Sequence, residues 1–393
     1  MFVLSLVLIA LAHQARAATS CEATEHGMRA DGSDNVAALT RTLAECAGQT
    51  IHIAVGTYSF SPNGFARGIE VPADTRIAGD GSRSPQQTVL QIADSGNFAS
   101  FLWIRNVSNV AIYGIRFEGT AYDSGCTRHL DYGHAITLQS DAGQRAAVES
   151  VDVSDDVFHD FNGGSWITLN AADGSPGIGV NSRIVIKNNL FDSDARLRGS
   201  CAANSAIGYS VVMVSMHGSD NSGQGIIADV DVDSNTFNAG YVKGAVAIWS
   251  GTKNITVAHN TIQEAGLRLP PYPGELGRYA ITVYNSAHYA PGLHPDTVRI
   301  LDNTISNPVS CGIYVASARN LEIRRNRISG QRDRNDVTLP KGAIALNHAE
   351  NVSALEDNEL TDNYIGISSV ASAIKMGTNR ITAAAGGVSQ KIR

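Results

Sequence analysis

The chain has 393 residues, a formal net charge of −7 and only 17% charged residues. This length allows one long domain or two domains of ordinary size. Nucleic-acid partners require clustered Lys and Arg, and the sequence has no basic stripe, so we expect no such partner. Abundant Gly between short apolar runs is typical of an all-β chain with many turns.

The first 17 residues have the pattern of a leader of an exported protein. An apolar run from Phe2 to Ala12 is followed by Ala15-Arg16-Ala17, a small-x-small cleavage signature. The apolar run is too short to span a bilayer. We therefore expect a signal peptide over 1–17, a secreted or periplasmic mature protein, and no membrane span.

Residues 18–60 are expected to form an N-terminal cap and the first strands. Segment 34–46 has the amphipathic pattern of a helix, and apolar residues alternate in the segment that follows it. Export permits disulfides. A Cys21–Cys46 bridge would fasten this cap to the body of the protein.

The other three cysteines predict a second bridge and a free thiol. Cys126 and Cys201 fall in two long loops that we place side by side, where a disulfide would stiffen the loops. Cys311 is then the odd residue, expected as a small buried hydrophobic group. The sequence has no Cys-x-x-Cys pair, so we expect no thiolate metal site.

Residues 61–393 repeat one short phrase. Two alternating apolar residues lead to an Asn, and another apolar residue follows two places later. Several intervals between copies are 21–25 residues, a period that indicates a solenoid. The repeated position is occupied by Asp156, Asn189, Asn235, Asn260, Asn303, Asn326, Asn358 and Asn379.

A second alternating phrase precedes each Asn phrase, so each coil has at least two short strands. This predicts an all-β, single-chain parallel β-helix of about ten coils, stacked about 4.8 Å apart. In such a coil an inward Asn meets its equivalent one coil away. We expect the amides to hydrogen-bond along the axis and to satisfy turn backbone groups.

The N-terminal segment resembles the opening of the pectate-lyase superfamily. The matching residues are Asp31-Gly32 with Asp34, the Ala/Leu-rich helix, Gly56-Thr57-Tyr58 and Gly79-x-Gly81. The resemblance implies a right-handed β-helix and a carbohydrate-active protein, because that superfamily includes hydrolases, lyases and epimerases. The catalytic motifs of its individual families are absent here, so the resemblance assigns no catalytic residue.

Coils between 118 and 303 are longer than the repeat requires. The extra residues form one set of loops at 118–133, 192–209 and 264–279, and a second set at 171–183, 216–227 and 286–297. Both sets flank the same strands, one along each edge. Long loops on a rigid scaffold often carry function, so the outer face of these strands is predicted to be a groove.

Alternate residues of the flanked strands are expected to face this groove. Trp249 and Tyr284 form an aromatic step for stacking on sugar rings, and Gln139 and Asn170 suit hydroxyl groups. The other substrate-binding candidates are Trp166 on the strands and Arg128 and Asp131 in the first loop.

The strand starts supply candidate catalytic groups. Lys243 and Arg278 are one coil apart, about 5 Å, and a like charge that close lowers the pKa of a Lys toward that of a general base. Arg278 could then bind a substrate carboxylate. Tyr284 is the candidate proton donor, and His217, at the start of a groove wall, is the alternative base.

These residues predict an exported enzyme that cleaves an acidic polysaccharide by β-elimination or epimerises it at C5. Two alternatives stay open: a glycoside hydrolase with paired groove carboxylates, and a non-catalytic glycan-binding or surface solenoid. No cofactor is required by the sequence, and calcium is left open. We expect a polysaccharide partner and a monomer.

Overall fold

The computed structural model describes residues 20–61, 68–83, 85–92, 99–119, 133–141, 147–161, 165–171, 180–193, 212–218, 225–266, 278–285, 293–332, 342–370 and 372–392, the last ten as backbone only. The predicted signal peptide, Arg128, Asp131, Cys126 and Cys201 lie outside these ranges. No helix among the described residues has the length and apolar character needed to cross a membrane.

Helical structure is confined, in the described residues, to the N-terminal cap. A 3-10 turn spans Ala23–His26, and helix α1 spans Val36–Glu45, as the amphipathic pattern predicted. The apolar face of α1 includes Leu39 and Leu43, both about 1% exposed in the core. The predicted disulfide between Cys21 and Cys46 is present, and it joins the first strand to the end of this helix.

All other regular elements of the described residues are strands. In chain order they are β1 (Ser20–Glu22), β2 (Thr50–Ile53), β3 (Gly56–Phe60), β4 (Ile69–Glu70), β5 (Arg76–Gly79), β6 (Thr88–Ile92), β7 (Ser100–Arg105), β8 (Ser108–Tyr113), β9 (Ile115–Glu118), β10 (His134–Ser140), β11 (Val148–Ser154), β12 (Val157–His159), β13 (Ser165–Ala171), β14 (Val180–Lys187), β15 (Leu190–Asp192), β16 (Val212–His217), β17 (Ile226–Asp233), β18 (Thr236–Asn238), β19 (Gly244–Ile248), β20 (Thr252–Ala258), β21 (Thr261–Gln263), β22 (Tyr279–Tyr284), β23 (Asp296–Leu301), β24 (Thr304–Ser306), β25 (Cys311–Ala316), β26 (Arg319–Arg324), β27 (Arg327–Ser329), β28 (Gly342–Asn347), β29 (Glu350–Glu356), β30 (Glu359–Val370), β31 (Ile374–Met376) and β32 (Arg380–Ile392).

The strands stack as three parallel ladders. The first ladder is a 12-stranded sheet that starts at β1 and continues through β2, β5 and every third strand to β29, ending at β31. The second ladder contains the short strands, from β3 through β9 and β12 to β27. The third ladder runs from β4 through β7 and β10 to β28. The last two ladders join at β30, which pairs with both β27 and β28. The predicted parallel β-helix is confirmed.

The repeated asparagines form the hydrogen-bonded column that the sequence predicted. The backbone N–H of Asn235 and its Nδ2 both donate to Oδ1 of Asn260, at 2.9 and 3.0 Å. The Nδ2 of Asn260 also donates to Val232 O at 2.8 Å. The same pattern links each coil from Asn189 to Asn379. The column thus satisfies backbone groups at turns where the asparagine side chains are buried.

The core lies between the three ladders and is filled by one continuous hydrophobic cluster. Equivalent positions on the second ladder place one aromatic ring above another. Phe117, Phe158, Phe191 and Phe237 stack with centroid separations of 5.0, 4.9 and 4.7 Å. Such rings bury large apolar areas and hold neighbouring coils in register. Cys311 is buried, as expected.

Candidate functional site

The third ladder presents alternate side chains outward, as predicted for the groove. Its inward pairs, such as Ile136 with Leu138 and Ile281 with Val283, are fully buried in the core. The residues next in alternation after these pairs lie at or beside the strand ends, and all of them except Ala316 are partly exposed. Strand register aligns them into one row, here called the outer row: Arg105, Gln139, Asn170, His217, Trp249, Tyr284, Ala316 and Asn347.

His217 belongs to the outer row and not to a wall, which corrects the sequence interpretation. Register pairs Asn170 with His217 and Thr168 with Ser215. The sequence interpretation had instead put His217 at the start of a groove wall. In strand β16 the side chains of Val214 and Met216 are buried in the core. The strand therefore continues past Met216 and ends at His217.

His217, Trp249 and Tyr284 form a continuous ring surface on three consecutive coils. The imidazole of His217 stacks on the Trp249 indole, with centroids 4.8 Å apart and planes at 28°. The Tyr284 ring meets the other side of Trp249 edge-on at 5.8 Å and 84°. The predicted aromatic step is therefore present, and a histidine extends it by one coil.

The environment of His217 disfavours its charged form. Burial, together with the nearby His134, lowers the pKa of His217 from 6.5 to about 4. At neutral pH its imidazole is therefore uncharged. A neutral imidazole has a lone pair on one ring nitrogen and can accept a proton.

The N-terminal end of the outer row is a closed hydrogen-bonded cluster. Nε and Nη2 of Arg105 contact Asp141 Oδ2 at 2.7 and 2.6 Å. Asn106 Nδ2 and Gln139 Nε2 donate to the same carboxylate at 2.9 Å. The guanidinium also lies 5.0 Å above the Trp103 ring. These donors stabilise Asp141, which leaves Gln139 with a structural role besides the predicted one.

Arg278 does not face the groove, which overturns its predicted role as the carboxylate ligand. The side chain is 0% exposed, and Nη1 donates to Gly266 O at 2.7 Å. It packs against Gly266 so closely that a Cβ there would lie 2.4 Å from Arg278 Cδ. Lys243 is partly exposed just before β19, so the predicted outward pair of cations is not formed. The role of Lys243 stays a prediction.

Trp166 is a core residue, not a substrate-binding one. It is 0% exposed, and its indole Nε1 donates to Phe161 O at 2.8 Å. Strict alternation had placed Trp166 outward. Instead, two consecutive side chains lie in the core near the start of the strand. They are Trp166 and Ile167 in β13, and Ala280 and Ile281 in β22. The same change of phase turns Arg278 away from the outer face.

This change of phase brings Tyr279 to the outer side of the strand, which the sequence interpretation missed. Tyr279 and Tyr314 stack at 4.6 Å in a small cluster that is separate from the core and that includes Tyr284 at its edge. Nearer the N-terminal end of the third ladder, His134 and Ser165 occupy the strand position that Tyr279 occupies in β22. The sequence contains a signal for this change of phase, namely two consecutive small or apolar residues at the strand start, such as Ala280-Ile281.

One family model matches part of the chain. The model described as NosD, a periplasmic copper-binding protein, matches residues 216–391. Among the described residues, three His, Cys, Asp or Glu ligand atoms come together only at Cys21, His26 and Cys46. That group lies outside the matched segment, and both its sulfurs are in the disulfide. The described residues of the matched segment therefore do not fit a copper site.

Similar solved structures span several activities. They include PfbA, a surface adhesin of Streptococcus pneumoniae, with 12% identity, TM-score 0.59, and coverage of 95% of this chain and 93% of that one. An alginate lyase from Paenibacillus sp. str. FPU-7 has 14% identity, TM-score 0.54, and coverage of 95% and 98%. A hyperthermoactive exopolygalacturonase from Thermotoga maritima has 10% identity, TM-score 0.51, and coverage of 93% and 88%. No curated protein sequence matches significantly.

At these identities the similarity concerns the fold alone, which supports many functions. The stacked parallel ladders and the structural matches agree with the resemblance noted at the N-terminal segment. The chain therefore has the single-chain right-handed parallel β-helix fold of pectate-lyase-like proteins.

Proposed function

We propose that the protein is an exported enzyme that acts on an acidic polysaccharide lying along the outer row, by β-elimination or C5 epimerisation. The observation that carries the proposal is the position of His217. An uncharged imidazole lies between an amide, Asn170, and an aromatic surface, Trp249. A base, a polar ligand and a stacking surface are the groups that proton abstraction from a sugar needs.

In the elimination, His217 accepts the C5 proton of a uronate. The C5–H electron pair forms the C4=C5 double bond, and the C4–O bond breaks with its electrons on the glycosidic oxygen. That oxygen takes the phenol proton of Tyr284, two coils away on the other side of Trp249. Epimerisation shares the first step and differs in that a proton returns to C5 from the opposite face.

The alternatives receive less support from this face. Hydrolysis usually employs two carboxyl groups on either side of the bond. No described residue of the outer row is a carboxylate, and nearby Asp141 is held by Arg105 and Gln139. A non-catalytic glycan-binding role would use Trp249 and Tyr284 for stacking and would need no proton acceptor such as His217.

The experiment follows the ultraviolet absorbance of the unsaturated uronate over a panel of acidic polysaccharides. Absorbance that rises with the wild type and falls at least 100-fold in rate with His217→Asn supports elimination, since a positioned base contributes roughly 10²–10⁴-fold. His348→Gln, at an exposed histidine beyond the outer row, is the control and should keep full rate. Altered C5 stereochemistry by NMR without absorbance would assign epimerisation. New reducing ends without absorbance would contradict the proposal.

The proposal includes export and requires no resident cofactor. Export agrees with the periplasmic description of the NosD family and with the Cys21–Cys46 disulfide. Because every step uses a protein group, a chelator should leave the rate unchanged. A rate lost to the chelator and restored by calcium would instead establish the calcium requirement that the sequence left open.

A further inference from the structure

Four polar side chains on the outer face form one directed chain of hydrogen bonds that ends at Asn170. Ser165 Oγ lies 2.5 Å from Ser215 Oγ. Ser215 Oγ donates to Thr168 Oγ1 at 3.3 Å, and Thr168 Oγ1 donates to Asn170 Oδ1 at a longer 3.4 Å. Each hydroxyl has one proton, so Ser165 is the donor to Ser215. The three hydroxyl residues are at most 6% exposed.

This chain determines which end of the Asn170 amide is presented to a ligand. Because Oδ1 accepts from Thr168, the two N–H groups of Nδ2 are directed away from the hydroxyl chain. Asn170 is partly exposed. The next polar donors in the row, on Arg105 and Gln139, already bind Asp141. Asn170 therefore offers two amide donors directly beside His217.

The location of these donors is chemically specific. Asn170 and His217 are register partners on adjacent strands, about 4.8 Å apart. The carboxylate of a uronate is attached to C5, the carbon whose proton a base removes. A ligand for that carboxylate must therefore stand beside the base. It must also stabilise the charge that develops on the carboxylate when the proton leaves.

We infer that Asn170 binds the C5 carboxylate of the substrate through Nδ2 and selects uronates over neutral sugars. Thr168 acts as a positioning residue that fixes the amide orientation. The carboxylate of the reacting sugar then lies toward the N-terminal coils, and its ring lies toward Trp249. The inference rests on the proposed site, but carboxylate recognition can be measured without any reaction.

The first test compares binding of a short uronate oligosaccharide with binding of its methyl ester, by calorimetry. The wild type should bind the acid more tightly. Asn170→Asp should weaken binding of the acid by about 10-fold or more and leave the ester nearly unchanged, because a carboxylate repels the acid alone. Asn347→Asp, at the far end of the same row, is the matched control and should preserve the preference. Thermal melts of each variant confirm folding.

The second test separates positioning from general stability. Thr168→Val should reduce the preference for acid over ester several-fold, and Thr168→Ser should restore it. Thr282→Val, at the equivalent position of another coil, should have no effect on it. An unchanged preference in Thr168→Val would overturn the positioning role.

The outcomes distinguish the inference from the proposed function. A wild type that prefers the acid through Asn170 but alters no polysaccharide would support the carboxylate site and contradict the enzyme proposal. A wild type that alters a polysaccharide while Asn170→Asp keeps its affinity for the acid would overturn the inference and leave the enzyme proposal standing. A wild type with equal affinity for acid and ester would also overturn the inference.

Discussion

Asp156 occupies the first position of the asparagine column, where each later coil has Asn. Its Oδ1 accepts from the backbone N–H of Ile115 at 2.8 Å, and its own N–H donates to Asn189 Oδ1. Its Oδ2 is buried without a hydrogen-bond partner among the described residues. Asn189 at this place uses Nδ2 to donate to Val153 O. A carboxylate lacks that donor, and burial raises the pKa of Asp156 well above its ordinary value.

Asp156→Asn should therefore stabilise the protein. Supplying the missing donor should raise the free energy of unfolding by about 1–2 kcal/mol near neutral pH. A carboxyl group whose pKa is raised in the folded state contributes stability at low pH and loses it as the pH rises through that pKa. The gain should therefore be larger at pH 8 than at pH 5, as measured by denaturant unfolding. No gain at either pH would mean that Oδ2 has a partner after all.

The pH dependence of the reaction should follow His217. Its pKa of about 4 comes first from burial and then from His134, and Asn170 and Trp249 are its uncharged neighbours. The base is active when deprotonated, so kcat/KM should rise with pH through about 4 and be level by pH 6. An exposed histidine would give the rise near 6.5. His134→Gln removes the repelling charge and should shift the rise to higher pH. A rise near 6.5 in the wild type would contradict the assignment of His217 as a buried base.

At the scale of the strand, the asparagine column converts a sequence repeat into a stack of coils. The residue before each column position from 156 to 358 is left-handed, with φ between 54° and 58°, at Asp155, Asn188, Ser234, His259, Asp302, Arg325 and Asp357. This conformation turns the chain sharply and points the next amide inward. Backbone groups of the turn are then satisfied only by the neighbouring coil.

Removing one amide from the middle of the column should weaken two coils at once. Asn260→Ala leaves the backbone N–H of Asn235 and the carbonyl of Val232 without their partners. Each unsatisfied buried group costs about 1–3 kcal/mol, so we expect a loss of about 2–4 kcal/mol in the free energy of unfolding. Thr256→Ala, on the preceding strand β20 and only partly buried, should cost less than 1 kcal/mol. Equal effects of the two substitutions would show that the column has no special role in stability.

The strand scale also explains which site residues the sequence could predict. Gln139, Asn170, Trp249 and Tyr284 follow a clear alternation with a buried pair, and all four lie on the outer row as expected. Alternation fails at strand starts, where Trp166-Ile167 and Ala280-Ile281 both turn inward. Strict alternation assumes that neighbouring side chains always point to opposite faces of the sheet. It therefore placed Arg278 and Trp166 on the wrong face.

At the scale of the whole molecule, the order of the coils determines which side chains become neighbours. The interval between asparagines predicted the solenoid without any knowledge of contacts. It did not predict that His217 lies between Asn170 and Trp249, because their coils are of unequal length and only the register of β16 aligns them. The orientation of the Asn170 amide depends on hydroxyls from two strands, which no local pattern contains.

A solenoid of this kind is quasi-one-dimensional, so each end must be closed to protect the core. At the N-terminal end the closure consists of α1 and the Cys21–Cys46 disulfide, whose two cysteines are 25 positions apart. A loop of that size corresponds to about 3 kcal/mol. Cys46→Ser should therefore lower the free energy of unfolding by about that amount.

The loss should be local, because stability along the coils is a sum of neighbouring contacts. Hydrogen exchange should accelerate at β2 and β5, next to the cap. It should remain slow at β19, which Trp249 follows directly, and at β22, which ends at Tyr284. Cys311→Ala removes a buried thiol far from the cap and should leave exchange in β2 unchanged. If Cys46→Ser accelerated exchange equally in all coils, the protein would unfold as a single cooperative unit. The outer row would then depend on the cap for its own stability, despite the distance between them.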